Sequence, residues 1–534
     1  MAVDDESSDD CGPALGRRAF VAALAAPVVG AAVAGCGQRY ERGSGAQLAA
    51  EPASGAIERI AVDARAPIGP YARLSGVQGS PYPLVAEDTD HTEPFRSFEI
   101  QHARIDQDCP ANTLTLGGIF PDATADPDRP ESYDFRAIDR HIAAARAAGA
   151  TVLWQSSYDI GRSDRWQGLN LGGRPPHDLD RWSRVLRRCL EHFNLGWAGG
   201  LDHAVANVEF LNEPTGLGGF NGDEGARLLP VFERFLDTVT SYNRDHPDAP
   251  VRAVGPGIPL CYAEYPDWEP RFDRALAALA GGGRTIPVFS FHTYGSDTSP
   301  VANARLAHAF RALLDRHGMR STELWNTEWQ AGEFLLQHLL AGRERPAAPT
   351  DAQLSSWAMA AATYALACKT RWQGVLSGSY YYRVNRRAFA PGAAPPIRYD
   401  ERGRGGFFSP SGQIGALALH EQLTARIASL VPERCGTTFH DDGLFTALGV
   451  RTSDARRVGV LVCNLATRSR QLDVRVRGLA ASPRAASRSL WIDVEHARIA
   501  ERSLDVTRSS TGELVVRATV APLASELILV ELGV

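Results

Sequence analysis

From about residue 70 to about residue 430, short apolar runs alternate with stretches of helical periodicity. This alternation limits the fold more than any other feature. A strand, a helix and a second strand in succession return the chain in one direction and build a parallel sheet. The runs that read as strands lie at roughly 72–77, 98–105, 151–157, 205–211, 251–256, 287–293, 321–328 and 374–383. Between them, residues 178–194 carry Trp182, Val185, Leu186, Cys189, Leu190 and Phe193 at helical spacing behind a candidate cap, Asp178. Stretches 139–148, 225–243, 304–316, 354–369 and 412–428 behave alike, whereas 84–96 is polar and irregular. The pattern predicts an α/β fold, a (β/α)8 TIM barrel with insertions, over residues 57–429.

After residue 430 helical periodicity gives way to short alternating runs: Val458–Asn464, Leu472–Val476, Leu490–Val494, Leu514–Ala518 and Glu526–Leu532. With turn residues between them, 430–534 reads as a C-terminal antiparallel β-sandwich. Residues 57–66 are a candidate further strand for it.

The N-terminus reads as a targeting segment. Arg17-Arg18-x-Phe20 precedes a short Ala- and Gly-rich apolar run that ends in Val33-Ala34-Gly35-Cys36. The first motif resembles a twin-arginine export signal and the second a bacterial lipobox, in which Cys36 would be lipidated. The alternative is an ordinary cleaved signal peptide with an incidental cysteine. On the first reading residues 1–36 are the signal and 37–56 a flexible tether. The protein is then exported to the cell envelope and meets a membrane only through its lipid. The acids at 4–6 and 9–10 read as a solvated tail.

Composition excludes several function classes. The formal net charge is −6, with both signs scattered, so no basic footprint for nucleic acid exists. The cysteines at 11, 36, 109, 189, 261, 368, 435 and 463 form no CxxC or Cys/His cluster, which argues against a zinc site. Most read as small buried hydrophobes, and sequence assigns no disulfide pairing.

In a (β/α)8 barrel, chemistry sits where the strands end. The fourth run ends in Phe210-Leu211-Asn212-Glu213-Pro214 and the seventh in Trp325-Asn326-Thr327-Glu328-Trp329. Glutamates at these two mouths would face each other across the barrel. Retaining glycosidases use such a pair, with carboxyl groups about 5–5.5 Å apart. One attacks the anomeric carbon, while the other protonates the leaving oxygen and then deprotonates water. Position alone does not say which is which.

Asn212-Glu213-Pro214 resembles the Asn-Glu-Pro signature of clan A glycoside hydrolases. That resemblance implies that Glu213 is the acid/base and Glu328 the nucleophile. Ile119-Phe120-Pro121-Asp122, Ala125-Asp126-Pro127 and Ser132-Tyr133-Asp134-Phe135 resemble the region after strand two in glycoside hydrolase family 39. Pro175-Pro176-x-Asp178, Trp182 and Gly196-Trp197 are similar to the same family. It contains β-xylosidases and α-L-iduronidases and joins a (β/α)8 barrel to a β-sandwich. The family often has Arg-x-His at the end of strand two, where this chain has Arg104-Ile105-Asp106, and a tryptophan where this chain has Leu211. These departures bear on sugar contacts, and so on the substrate.

The candidate substrate-binding residues are Asn212, His292, Tyr294, Trp329, Tyr382, Arg104 and Asp106. Asn212 would bond a sugar 2-hydroxyl or cap its loop. His292 and Tyr294, two apart on a strand, point to one face, and Tyr294 would hold Glu328. Trp329 is the foremost stacking platform among Trp154, Trp166, Trp325 and Trp329, and Tyr382 is chosen from the run 380–382. Arg104 would orient Glu328 or bridge to Asp106, and Glu209 reads as structural. The expected function is retaining hydrolysis of an extracellular poly- or oligosaccharide, with β-xylosides as the substrates implied first. It requires no metal or organic cofactor. A non-catalytic glycan-binding surface lipoprotein on the same fold is the alternative.

Overall fold

The structure is a computed structural model and describes residues 57–82, 90–106, 114–157, 160, 178–213, 222–259, 268–293, 299–331, 351–382, 407, 415–479, 485–493 and 498–533. The N-terminal segment through Cys36, Trp166 and Tyr294 lie outside the described residues. Within them, no helix is long and apolar enough to cross a membrane.

A closed, all-parallel barrel is formed by β2 (Gly76–Gln78), β3 (His102–Ile105), β4 (Thr151–Gln155), β5 (Asn207–Glu209), β6 (Arg252–Pro259), β7 (Val288–Thr293), β8 (Glu323–Trp329) and β9 (Gly378–Tyr381). Each falls within or overlaps one of the eight runs read from periodicity. The floor of the barrel is a packed layer of Leu153, Val254, Val288, Trp325 and Tyr380. Gly378 makes room for the largest of these: a Cβ there would lie 2.9 Å from the Trp325 ring.

The helices between the strands follow local rules. In helix Leu179–Leu195 the Asp178 carboxylate accepts from the Arg181 N–H at 2.8 Å, and Gly196 ends the helix in the left-handed conformation. Its buried face is Trp182, Val185, Leu186, Cys189, Leu190 and Phe193. Helix Pro300–Arg316 starts on Ser299, whose hydroxyl accepts from the Ala302 N–H, with Pro300 at its first position. After β2 the described chain has only the five-residue helix Thr92–Arg96, in keeping with the irregular pattern there.

A second sheet of ten strands runs in the order β15-β14-β18-β12-β11-β10-β1-β13-β17-β16. Its members are β1 (Ile57–Pro70), β10 (Glu433–Thr438), β11 (Phe445–Arg451), β12 (Arg457–Asn464), β13 (Arg470–Arg477), β14 (Ala485–Asp493), β15 (Arg498–Leu504), β16 (Val506–Arg508), β17 (Leu514–Val520) and β18 (Ala524–Leu532). All neighbours are antiparallel except β1 and β13. Ile60, Val62, Val460, Val474, Val516 and Val530 share one sandwich core. The alternate residues Leu461, Cys463, Leu527 and Leu529 join the core of the barrel side instead. One face of β12 and β18 thus seals the sandwich and the other docks it on the barrel. The alternating-run reading missed β10, β11, β15 and β16. β10 and β15 (Glu433-Arg-Cys-Gly-Thr-Thr and Arg498-Ile-Ala-Glu-Arg-Ser-Leu) bury few side chains, so they carry little apolar signal.

The chain's one lysine, Lys369, lies inside. Its Nζ donates to Glu421 Oε1 at 2.6 Å and ties helix Asp351–Arg371 to helix Ala416–Leu430. Burial and the Lys369 charge together push the neighbouring His420 imidazole down to about 4, so it is neutral at pH 7.

Candidate active site

Glu213 follows the fourth barrel strand, β5, and is 8 % exposed. Its backbone is left-handed (φ 46°), a conformation that costs a non-glycine residue roughly 1–2 kcal/mol. Its N–H donates to the carbonyl of Gly257 on β6 at 3.1 Å, which holds the turn. Gly257 is itself at φ 66°, and a Cβ there would lie 2.4 Å from the Leu211 carbonyl oxygen. Only glycine lets β6 approach closely enough to receive Glu213.

Glu328 lies on the seventh barrel strand, β8, where the ladder is irregular. Phe291 pairs with Asn326 and His292 with Glu328, so Thr327 is one extra residue against β7. The same step is irregular against β9, where Thr327 and Glu328 stand opposite Tyr380 alone, since Asn326 pairs with Ser379 and Trp329 with Tyr381. Strict alternation from Trp325, which faces the barrel axis, would turn Trp329 inward and Glu328 outward. The bulge reverses that order. Glu328 meets Arg104 inside the barrel, and Trp329 packs outside against Trp372 and Tyr381 at 4.8 and 4.9 Å. The expectation that Trp329 stacks on a sugar is therefore corrected: its ring is fully buried in the helical layer.

Arg104 lies beneath the carboxylates with no exposed surface. Its Nε donates to Glu209 Oε2 at 2.6 Å, and its Nη1 to Asp106 Oδ2 at 3.0 Å and Glu328 Oε2 at 2.8 Å. Its Nη2 donates to Asn212 Oδ1 at 2.8 Å. The two roles considered for it are both filled, but the direct sugar contact expected of it is not, because the guanidinium is enclosed by protein. Burial alone would lower the Arg104 pKa; Glu209, Asp106 and Glu328 outweigh it and hold the group firmly charged. Burial would likewise raise the Glu209 carboxyl, yet Arg104 and then His292 keep it below its ordinary value.

A continuous path links the backbone of one glutamate to the carboxylate of the other. Gly257 N–H donates to Ser290 Oγ at 2.9 Å, and Ser290 Oγ donates to Glu209 Oε1 at 2.8 Å. Arg104 then joins Glu209 to Glu328. Glu209, read as structural, joins Arg104 to Ser290; Ser290, Gly257 and Gln78, whose Nε2 donates to Asp106 Oδ2, were not singled out. A signal existed for one of them: Ser290 precedes His292 by two residues and so shares its strand face.

His292 on β7 sits between the glutamates. Its Nδ1 is 3.0 Å from Glu213 Oε1 and 3.8 Å from Glu328 Oε2. The hydrogen between Nδ1 and Glu213 Oε1 belongs to the ring where Glu213 is ionised and to the carboxyl where it is protonated. One ligand atom from each of Glu213, His292 and Glu328 lies within 4.8 Å of the others, and this is the one such trio among the described residues that could hold a metal ion. Asn212 and Asp106 are each 4 % exposed at the same mouth. Tyr382 follows β9, and its N–H donates to the Trp329 carbonyl at 2.7 Å. Tyr382 is buried, and Tyr381 packs outward on Trp329. Trp154 is outside the barrel, with Nε1 donating to the Leu114 carbonyl, and Trp325 is in the floor.

No family model matches the chain, and no curated protein matches it in sequence. Solved structures do match. A glucosidase from Croceicoccus marinus superposes with a TM-score of 0.61 at 20% identity, over 90% of this chain and 100% of that one. A GH39 enzyme from Xanthomonas axonopodis pv. citri gives 0.58 at 16% identity, over 90% and 98%. A GH39 β-xylosidase from Caulobacter crescentus gives 0.54 at 17% identity, over 89% and 100%. In fold, barrel and sandwich together, the chain resembles the family 39 glycoside hydrolases.

Proposed function

We propose that this chain is a retaining glycoside hydrolase acting on an extracellular poly- or oligosaccharide. The observation that carries the reading is the glutamate pair at the mouths of the fourth and seventh strands, with carboxylate oxygens within 4.8 Å. That spacing suits double displacement; an inverting enzyme needs roughly 6.5–9.5 Å to seat a water. Glu328 attacks the anomeric carbon as the bond to the leaving oxygen breaks, and Glu213 gives that oxygen its proton. In the second half Glu213 takes a proton from water, whose oxygen attacks the anomeric carbon and releases Glu328. Arg104 stabilises Glu328 as it departs, and His292 Nδ1–H supports Glu213 while it is ionised. β-Xylosides are the first substrates to try, in line with the family resemblance and with the β-xylosidase among the structural neighbours.

The test is a panel of aryl β-glycosides and plant, fungal and bacterial polysaccharides, with the anomeric signal of the first-formed product followed by NMR. Net retention is expected. Inversion would contradict the mechanism, and glycan binding with no turnover would favour a non-catalytic lipoprotein.

We also propose that the protein is exported and lipid-anchored, on the strength of Arg17-Arg18-x-Phe20 and Val33-Ala34-Gly35-Cys36. In a bacterial host, Cys36→Ser is expected to move the protein from the membrane fraction to the soluble one. An unchanged distribution would leave Cys36 without a lipid role.

A further inference from the structure

The bulge that turns Glu328 inward is held by two side chains to which no catalytic role has been given. A bulge interrupts the ladder and leaves backbone groups without their regular partners. At this break lies Asn326, fully buried. Its amide nitrogen donates to the Phe291 carbonyl of β7 at 3.0 Å and to the Glu328 carbonyl of β8 at 3.1 Å. Its amide oxygen accepts from the Thr293 hydroxyl at 2.8 Å. The two carbonyls demand a donor, so the partners fix which way the amide points. Thr293, itself 2 % exposed, thereby locks the amide that locks the bulge.

We infer that Asn326 and Thr293 are positioning residues that aim Glu328 at the anomeric carbon, by stitching the Thr327 bulge across two strands. The inference rests on reading Glu328 as the nucleophile. Its counterpart on the other carboxylate is already visible: β6 also carries an irregularity against β7, between Pro256 and Ile258, and the intervening Gly257 receives the Glu213 N–H. Each glutamate is thus aimed by a local break in strand pairing rather than by its own strand's alternation. For Glu328 the break depends on side chains, so it can be undone without touching the glutamate, Arg104 or His292.

The experiment compares wild type with Asn326→Leu, Thr293→Val and Thr293→Ser by two readouts. One is a crystal structure of each, read for the 2.8 Å contact between Arg104 Nη1 and Glu328 Oε2. The other is the rate of covalent labelling by 2,4-dinitrophenyl 2-deoxy-2-fluoro-β-xyloside, expressed per site finally labelled. Its leaving group needs no acid, so it reports nucleophilic attack, and normalising per site removes any misfolded fraction. Asn326→Leu is expected to lose the Arg104 contact and to label on the order of 100-fold more slowly, the scale of an ångström's misplacement. Thr293→Val should slow labelling about fivefold, in step with one neutral hydrogen bond, and Thr293→Ser should restore it. If wild type takes label, either readout unmoved in Asn326→Leu overturns the inference. Label found on a residue other than Glu328 refutes the nucleophile reading, and a wild type that takes no label refutes the xyloside as its substrate; in either case the position of Glu328 in the Asn326→Leu crystal decides this inference alone.

Discussion

Glu328→Ala is expected to lower kcat by on the order of 10⁴-fold or more on every substrate, because no other group can form the glycosyl-enzyme. Glu213→Ala should behave differently. With a dinitrophenyl leaving group, which departs without a proton, bond cleavage survives and the intermediate accumulates for want of a base to activate water. With a sugar or alkoxide leaving group both halves fail. Added azide separates the two roles by stereochemistry. In Glu213→Ala it attacks the glycosyl-enzyme, needs no base, and yields a glycosyl azide of retained configuration. In Glu328→Ala it enters from the vacated side and yields the inverted azide. Configurations found the other way round would exchange the roles of the two residues, and undiminished turnover in Glu328→Ala would remove it from the mechanism.

The distinction matters because the two glutamates were legible in the sequence to different depths. The βα alternation located both strands, and each glutamate closes a motif at a strand end. What alternation could not convey was direction. On β8 the period-2 rule points Trp325, Thr327 and Trp329 to one side, and a single extra residue reverses the last step. Hence Trp329, expected as a sugar platform, is a packing residue of the helical layer, and its neighbour faces the barrel axis. Arg104 was legible in part. Its roles toward Glu328 and Asp106 were read from its place at a strand end, but its partners Glu209 and Asn212 lie 105 and 108 residues away and leave no local trace. In the sandwich, β10 and β15 were not found, because strands with few buried residues lack the pattern that announces a strand.

Arg104 carries the second large expectation, on stability as well as activity. One guanidinium serves three carboxylates in a space without water contact, so Arg104→Met should destabilise the fold by about 3–5 kcal/mol, the cost of leaving a buried charge uncompensated. The pH dependence follows from Glu209. In wild type its carboxyl is held below the ordinary value, so its contribution is present above the unfolded carboxylate's pKa, about 4.3, and lost as pH falls through the lower folded value. In Arg104→Met burial acts without that opposition and raises the Glu209 pKa above its unfolded value. The variant is then least stable where Glu209 must ionise and recovers as the carboxyl takes up a proton. Urea unfolding should therefore show the gap between the two proteins widest near pH 7.5 and narrower at pH 4.5. Arg104→Met/Glu209→Leu should regain much of the loss at neutral pH but none of the activity, since Glu328 still lacks its partner. Arg104→Lys should fall between, because one ammonium cannot reach the separate acceptors that Nε, Nη1 and Nη2 serve. An equal loss at both pH values would assign the effect to packing, and with it the claim that charge compensation beneath the glutamates holds this barrel mouth together would fail.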